Sequence, residues 1–197
     1  NFHGPGRLAR SCGAARLLFL AGLAAAAASP VRAAAVQPGL ERPAVAVRQP
    51  GRAVMLSVAG VGSRLVAVGE RGVVSLSDDG GLQWRQAKVP VSVTLTSVRF
   101  ANERWGLATG HGGVVLATSD RGETWKLVLD GRRIAQSALE RARASGDAKA
   151  VKDAELMVAD GPDKPLLDVM ILDERRAWVV GAYGLALATD DGGATWS

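Results

Sequence analysis

The chain has 197 residues, enough for one domain of ordinary size, and at 48% apolar and 22% charged residues it reads as globular, neither disordered nor fibrous. Its net charge of +5 is unevenly placed: Arg7, Arg10, Arg16 and Arg32 precede residue 34, where no acid stands, and the remainder is nearly neutral. That excludes the basic stripe of a nucleic-acid binder, and a single cysteine, Cys12, excludes disulfide staples and cysteine metal sites from the mature chain.

Residues 1–33 read as a secretory signal. The three early arginines form a positive n-region, Leu17 to Ala28 an apolar h-region, and Val31 and Ala33 the small residues before cleavage after Ala33. The apolar run of 12 residues is short of the roughly 20 needed to span a bilayer, so no stable membrane span is expected after the signal is removed. Residues 34–50 read as a linker, in which Ala44 to Val47 is expected to find no partner in the first blade and to serve as a ring-closing strand.

From residue 51 the sequence repeats. Gly69 to Trp84, Gly110 to Trp125 and Gly181 to Trp196 align without a gap and share G-x-x-G-x4-[ST]-x-D-x-G-x-x-W. The motif tryptophans stand 41 and then 71 residues apart, one period and one period plus an insert. A period near 41 matches the ~40–45 residues of a four-stranded propeller blade. The apolar runs predict the strands: Val54 to Val58, Leu65 to Val68, Val73 to Leu76 and Gln86 to Val89 in the first blade. The second has Leu95 to Phe100, Trp105 to Thr109, Val114 to Ala117 and Lys126 to Leu129. The third has Leu166 to Leu172, Ala177 to Val180 and Leu185 to Ala188. The fold class is therefore all-β, a β-propeller of four-stranded blades. The chain opens on Asn1 and closes one residue after a motif Trp, so further blades are expected beyond it.

Residues 130–165 interrupt the strands. Ile134, Ala138 and Ala142 fall on one helical face, and Val151, Ala154 and Val158 on another, which predicts helices over Arg133–Ala144 and Ala148–Ala159. Asp147 caps the second helix and Gly161-Pro162-Asp163 ends it. The insert is expected outside the ring, adding little to the core, with Leu139 and Met157 on a side that docks a partner.

The motif's chemistry is that of a turn. Asp79, Asp120 and Asp191 accept backbone N–H groups, Ser77, Thr118 and Thr189 do the same more weakly, and Gly81, Gly122 and Gly193 supply positive φ. Trp84, Trp125 and Trp196 are large enough to pack between blades. The pattern resembles the Asp-box of sialidases and many other propellers, which implies a structural role for these twelve residues and no catalytic one. His111 and Tyr183 occupy turn positions that the repeat does not fix. No catalytic, cofactor-binding or metal-binding residue is assigned, and no cofactor.

Leu65-Val-Ala-Val-Gly69, Trp105-Gly-Leu-Ala-Thr-Gly110 and Trp178-Val-Val-Gly181, each followed by its box, resemble the photosystem II stability/assembly factor-like family. The resemblance covers residues 51–197. It implies a seven-bladed propeller in the periplasm, or in the thylakoid lumen of a photosynthetic host. The implied function is non-enzymatic: an assembly or interaction scaffold whose partner is another envelope or membrane protein. The alternative is a sialidase-like glycoside hydrolase with its catalytic residues in later blades.

Overall fold

The computed structural model describes residues 38–197, so the signal, its cleavage point and Cys12 lie outside the described residues. Three antiparallel sheets follow in chain order. Blade 1 comprises β1 (Met55–Val61), β2 (Arg64–Gly69), β3 (Val74–Ser77) and β4 (Arg85–Gln86). Blade 2 comprises β5 (Leu95–Phe100), β6 (Gly106–Gly110), β7 (Val114–Thr118) and β8 (Lys126–Leu129). Blade 3 comprises β9 (Leu166–Ile171), β10 (Ala177–Gly181) and β11 (Ala186–Thr189). Every pairing joins strands consecutive in sequence, which is the up-and-down meander of propeller blades. Each first strand also slips register at the same place, next to Leu56, Thr96 and Leu167, so the repeat extends to the bulges.

The core lies between blades. Val66, Val68, Val74 and Leu76 of blade 1 bury against Leu95, Val98, Ala108, Val114 and Leu116 of blade 2. Leu107, Val115 and Leu129 of blade 2 bury against Leu166, Val169, Ala177, Val179 and Leu187 of blade 3. Alternate residues of the middle strands thus face opposite neighbours, as a period of two requires when a sheet is covered on both faces. Leu107 and Ala108, adjacent in sequence, belong to different seams.

The outer strand of blade 1 departs from expectation. It ends at Gln86, because Lys88 turns away to form a parallel bridge with Thr124 of blade 2. Ala44 to Val47 does find partners in the first blade. The Ala44 N–H donates to the Val89 carbonyl at 3.0 Å and the Val45 N–H to the Arg71 carbonyl at 3.3 Å. The Gln86 amide clasps Val45 and Val47.

The insert forms an antiparallel helical hairpin of α1 (Gly131–Ser145) and α2 (Ala148–Asp160). Asp130 caps α1 by accepting the Arg133 N–H, and Asp147 caps α2 by accepting those of Lys149 and Ala150. Gly146 at φ +71° ends the first helix in the left-handed conformation that glycine tolerates. No helix among the described residues is long and apolar enough to cross a membrane.

Candidate functional site

Each motif aspartate sits at the centre of a tight turn. Asp79 accepts the N–H groups of Leu82 and Gln83 at 3.0 and 2.9 Å. Asp120 accepts the Thr124 N–H at 2.9 Å, and Asp191 the Thr195 N–H at 2.9 Å. The threonine hydroxyls also donate to these two carboxylates. The hydroxyls of Ser77, Thr118 and Thr189 each donate to the aspartate at 2.8 Å. They accept the N–H of Gly81, Gly122 and Gly193. Those glycines stand at φ +94°, +83° and +89°. Donors concentrated on one carboxylate stabilise its ionised form. The Thr195 hydroxyl and N–H hold Asp191 down at about 2, and the bonds to Asp79 lower it in the same direction. A carboxylate so engaged is held ionised and spends its bonds on its own turn.

The indole N–H of each motif tryptophan donates to the carbonyl of the motif glycine three residues earlier: Trp84 to Gly81, Trp125 to Gly122, Trp196 to Gly193. That bond closes the turn from the far side, and the motif's spacing alone does not reveal it. The rings face backward along the chain. Trp125 is buried in the blade 1–2 core, edge-on to Phe100; Trp196 packs with Val128 at the blade 2–3 seam; Trp84 lies against Gly51.

The first glycine of each repeat has a different reason. Gly69, Gly110 and Gly181 have extended backbones, but a Cβ there would stand 1.9, 2.4 and 2.4 Å from the carbonyl oxygens of Val54, Thr94 and Pro165. Those carbonyls accept the N–H of Glu70, His111 and Ala182, so the inner strand presses on the turn in all three blades.

The hairpin residues are placed otherwise than expected. Leu139 is buried in the seam between α1 and α2, with Ala142 and Ala154. Met157 packs against the blade 2–3 core, which also takes in Ile134. Leu139 is thus turned into the hairpin and Met157 is half-buried at the blade end, because the shortest way to bury a thin apolar stripe is against the other helix and the end of the adjacent blades. The hairpin's exposed apolar side chains are Leu156 and Val158. His111 is exposed in its turn, and Tyr183 is 81% exposed at φ +59° with the Lys164 ammonium 5.9 Å from its ring.

The inner strands carry a polar row across all three blades. The Val98 N–H and the Arg99 guanidinium donate to the Ser57 hydroxyl at 3.3 Å, and the Ser97 hydroxyl donates to Asp168 at 2.6 Å. Arg99 lies 3.4 Å from Asp168. The Ser97 bond, with lesser help from the Val169 N–H and Arg99, holds Asp168 below the usual carboxylate range. The row ties one inner strand to the next and leaves Asp168 anionic. No group of three or more His, Cys, Asp or Glu side chains suited to a metal ion occurs among the described residues.

No protein-family model matches the chain, and no curated protein matches it. Solved structures do. A structure of YCF48 bound to D1 peptide superposes with TM-score 0.53 at 18% identity, over 79% of this chain and 45% of that one. YCF48 from Cyanidioschyzon merolae superposes with TM-score 0.51 at 18% identity, over 78% of this chain and 41% of that one. The chain therefore spans less than half the length of the structures it matches, and over that span it has the β-propeller fold of the photosystem II assembly factor YCF48.

Proposed function

We propose that this chain is part of an exported, non-enzymatic β-propeller that serves as an assembly or interaction scaffold for another envelope or membrane protein. The observation that carries the reading is the shared propeller fold with a YCF48 structure that holds a bound peptide. The turns agree with it: the three motif carboxylates are engaged by hydroxyl and N–H donors of their own turns, as in structural Asp-boxes. Export rests on the signal-like residues 1–33, and the compartment is the periplasm, or the thylakoid lumen in a photosynthetic host. Affinity purification of the tagged full-length protein from mildly solubilised membranes tests the scaffold. One membrane protein recovered in near-stoichiometric amount is the expected result. Turnover of a glycoside by the purified protein, with nothing co-purifying, would replace this reading with the hydrolase.

A further inference from the structure

Arg64 opens β2 at the outer rim of the blade 1–2 seam and is only 8% exposed. A guanidinium so placed needs its charge matched and its donors satisfied. Nε and Nη2 donate to the two oxygens of Asp78 at 2.6 and 3.0 Å. Nη1 crosses the seam to Glu123 Oε1 at 2.8 Å and the Arg121 carbonyl at 3.2 Å. Arg85 closes the group by donating to both oxygens of Glu123 and, at 3.4 Å, to Asp78. A carboxylate of blade 2 is thereby held between two arginines of blade 1. Its own backbone is joined to the same neighbour: the Lys88 N–H donates to the Glu123 carbonyl and the Trp125 N–H to the Lys88 carbonyl, both at 3.0 Å.

The repeat shows that this arrangement is local. Where the first seam has Arg64, Asp78, Arg85 and Glu123, the second has Trp105, Ser119, Lys126 and Ala194. No carboxylate stands among those four to meet Lys126.

We propose that the four-residue cluster is an acid-released latch. It locks the outer rim of blade 1 onto blade 2 while its carboxylates are ionised, and it frees the Lys88–Thr124 bridge when they are protonated, leaving the blade 2–3 seam shut. Of the other charged residues nearby, Arg121 and Lys88 meet the cluster through their backbones, Asp79 and Asp120 are engaged in their own turns, and the Glu103 carboxylate lies against Gly62 in the β1–β2 turn. The bond from Arg64 holds Asp78 below its ordinary 3.8, and the bond from Arg85 holds Glu123 below its ordinary 4.5. Both arginines are raised and stay charged throughout. Lowered carboxylates stabilise fully above their ordinary values, so the latch weakens as pH falls below about 4.5 and through the lowered values. In blade 3, Asp191 is held down at about 2 by its own turn, and Asp168, also lowered, joins Ser97 and Arg99 between the inner strands β5 and β9, so β10 and β11 are the strands that report the rest of that seam.

Amide hydrogen exchange on the full-length protein, corrected for intrinsic rates, reads the latch at about pH 6 and about pH 3. Peptides containing Lys88 and Trp125 are expected to lose protection at the lower pH, as the lowered carboxylates are protonated. Peptides of β10 and β11 keep theirs. In Glu123→Gln the Lys88 and Trp125 peptides are expected to be weakly protected at both pH values. Equal loss at both seams in the unmodified protein overturns the proposal, and so does an unchanged pH dependence in Glu123→Gln. Should that variant fail to fold, Asp78→Asn supplies the same comparison, and the unmodified protein decides between the seams alone.

Discussion

Asp120 accepts bonds from the Thr118 and Thr124 hydroxyls and the Thr124 N–H, all at one turn. Thr124 is exposed and water replaces part of what is lost, so Asp120→Ala is expected to cost about 1 kcal/mol, read as a lowered urea midpoint with unchanged slope. Asp191 tests the same chemistry by titration. Its folded pKa of about 2 lies under its ordinary 3.8, so the stability it contributes is present above the ordinary value and is lost as pH falls through about 2. Carboxyl NMR on Thr195→Val should find Asp191 shifted upward, since the hydroxyl is the largest cause of the depression. Trp125 differs in kind, because it is buried between blades and donates its indole N–H to Gly122. Trp125→Ala is expected to cost roughly 3–5 kcal/mol in denaturant unfolding.

The hairpin is the element whose role changes most between sequence and structure. Its periodicity marks two helices, and they extend over 131–145 and 148–160. Periodicity does not say what an apolar stripe faces. Ile134 closes the end of the blade 2–3 core, and Gly113 at φ +67° lets the β6–β7 turn approach so near that a Cβ would stand 2.6 Å from the Gly131 Cα. Replacing 130–165 by a short linker is therefore expected to lower the thermal midpoint, through exposure of Leu129 and Leu166, rather than leave it unchanged. Ile134→Ala alone should cost about 2–4 kcal/mol by the same unfolding measurement. A midpoint indifferent to both changes would return the hairpin to the status of an appendage.

Across the whole molecule, two seams between similar blades are held in different ways. Both share an apolar interior, which the alternation of Leu107 and Ala108 between neighbours makes continuous. Only the first adds the Arg64 cluster and the Lys88–Thr124 bridge. The proposed export is tested at this scale as well. N-terminal sequencing of the secreted protein is expected to begin at or near Ala34, and recovery of Arg16 or Cys12 in the mature protein would show that residues 1–33 are not a cleaved signal.

The order and class of the blades followed from sequence alone, because a repeated period near 41 with paired glycines admits few other folds. The strand boundaries are local as well: alternation, turn residues and strand-forming side chains agree in each repeat, and the strands lie within a few residues of where the pattern put them. What tertiary structure decided is what each element touches. The shortening of β4 depends on Thr124 of the next blade, and the bonding of Ala44 to Val47 depends on Val89 and Gln86. Leu139 and Met157 stand out in the sequence as two of the insert's few large apolar side chains, and the structure puts Leu139 against the neighbouring helix and Met157 against the blade core. The Arg64 cluster left a trace in the sequence, as charged residues where the other repeats carry different ones, but its four members are distant in the chain. Only the packing of blade 1 on blade 2 brings Arg64 and Glu123 within hydrogen-bond reach, and local pattern carries no record of such a distance.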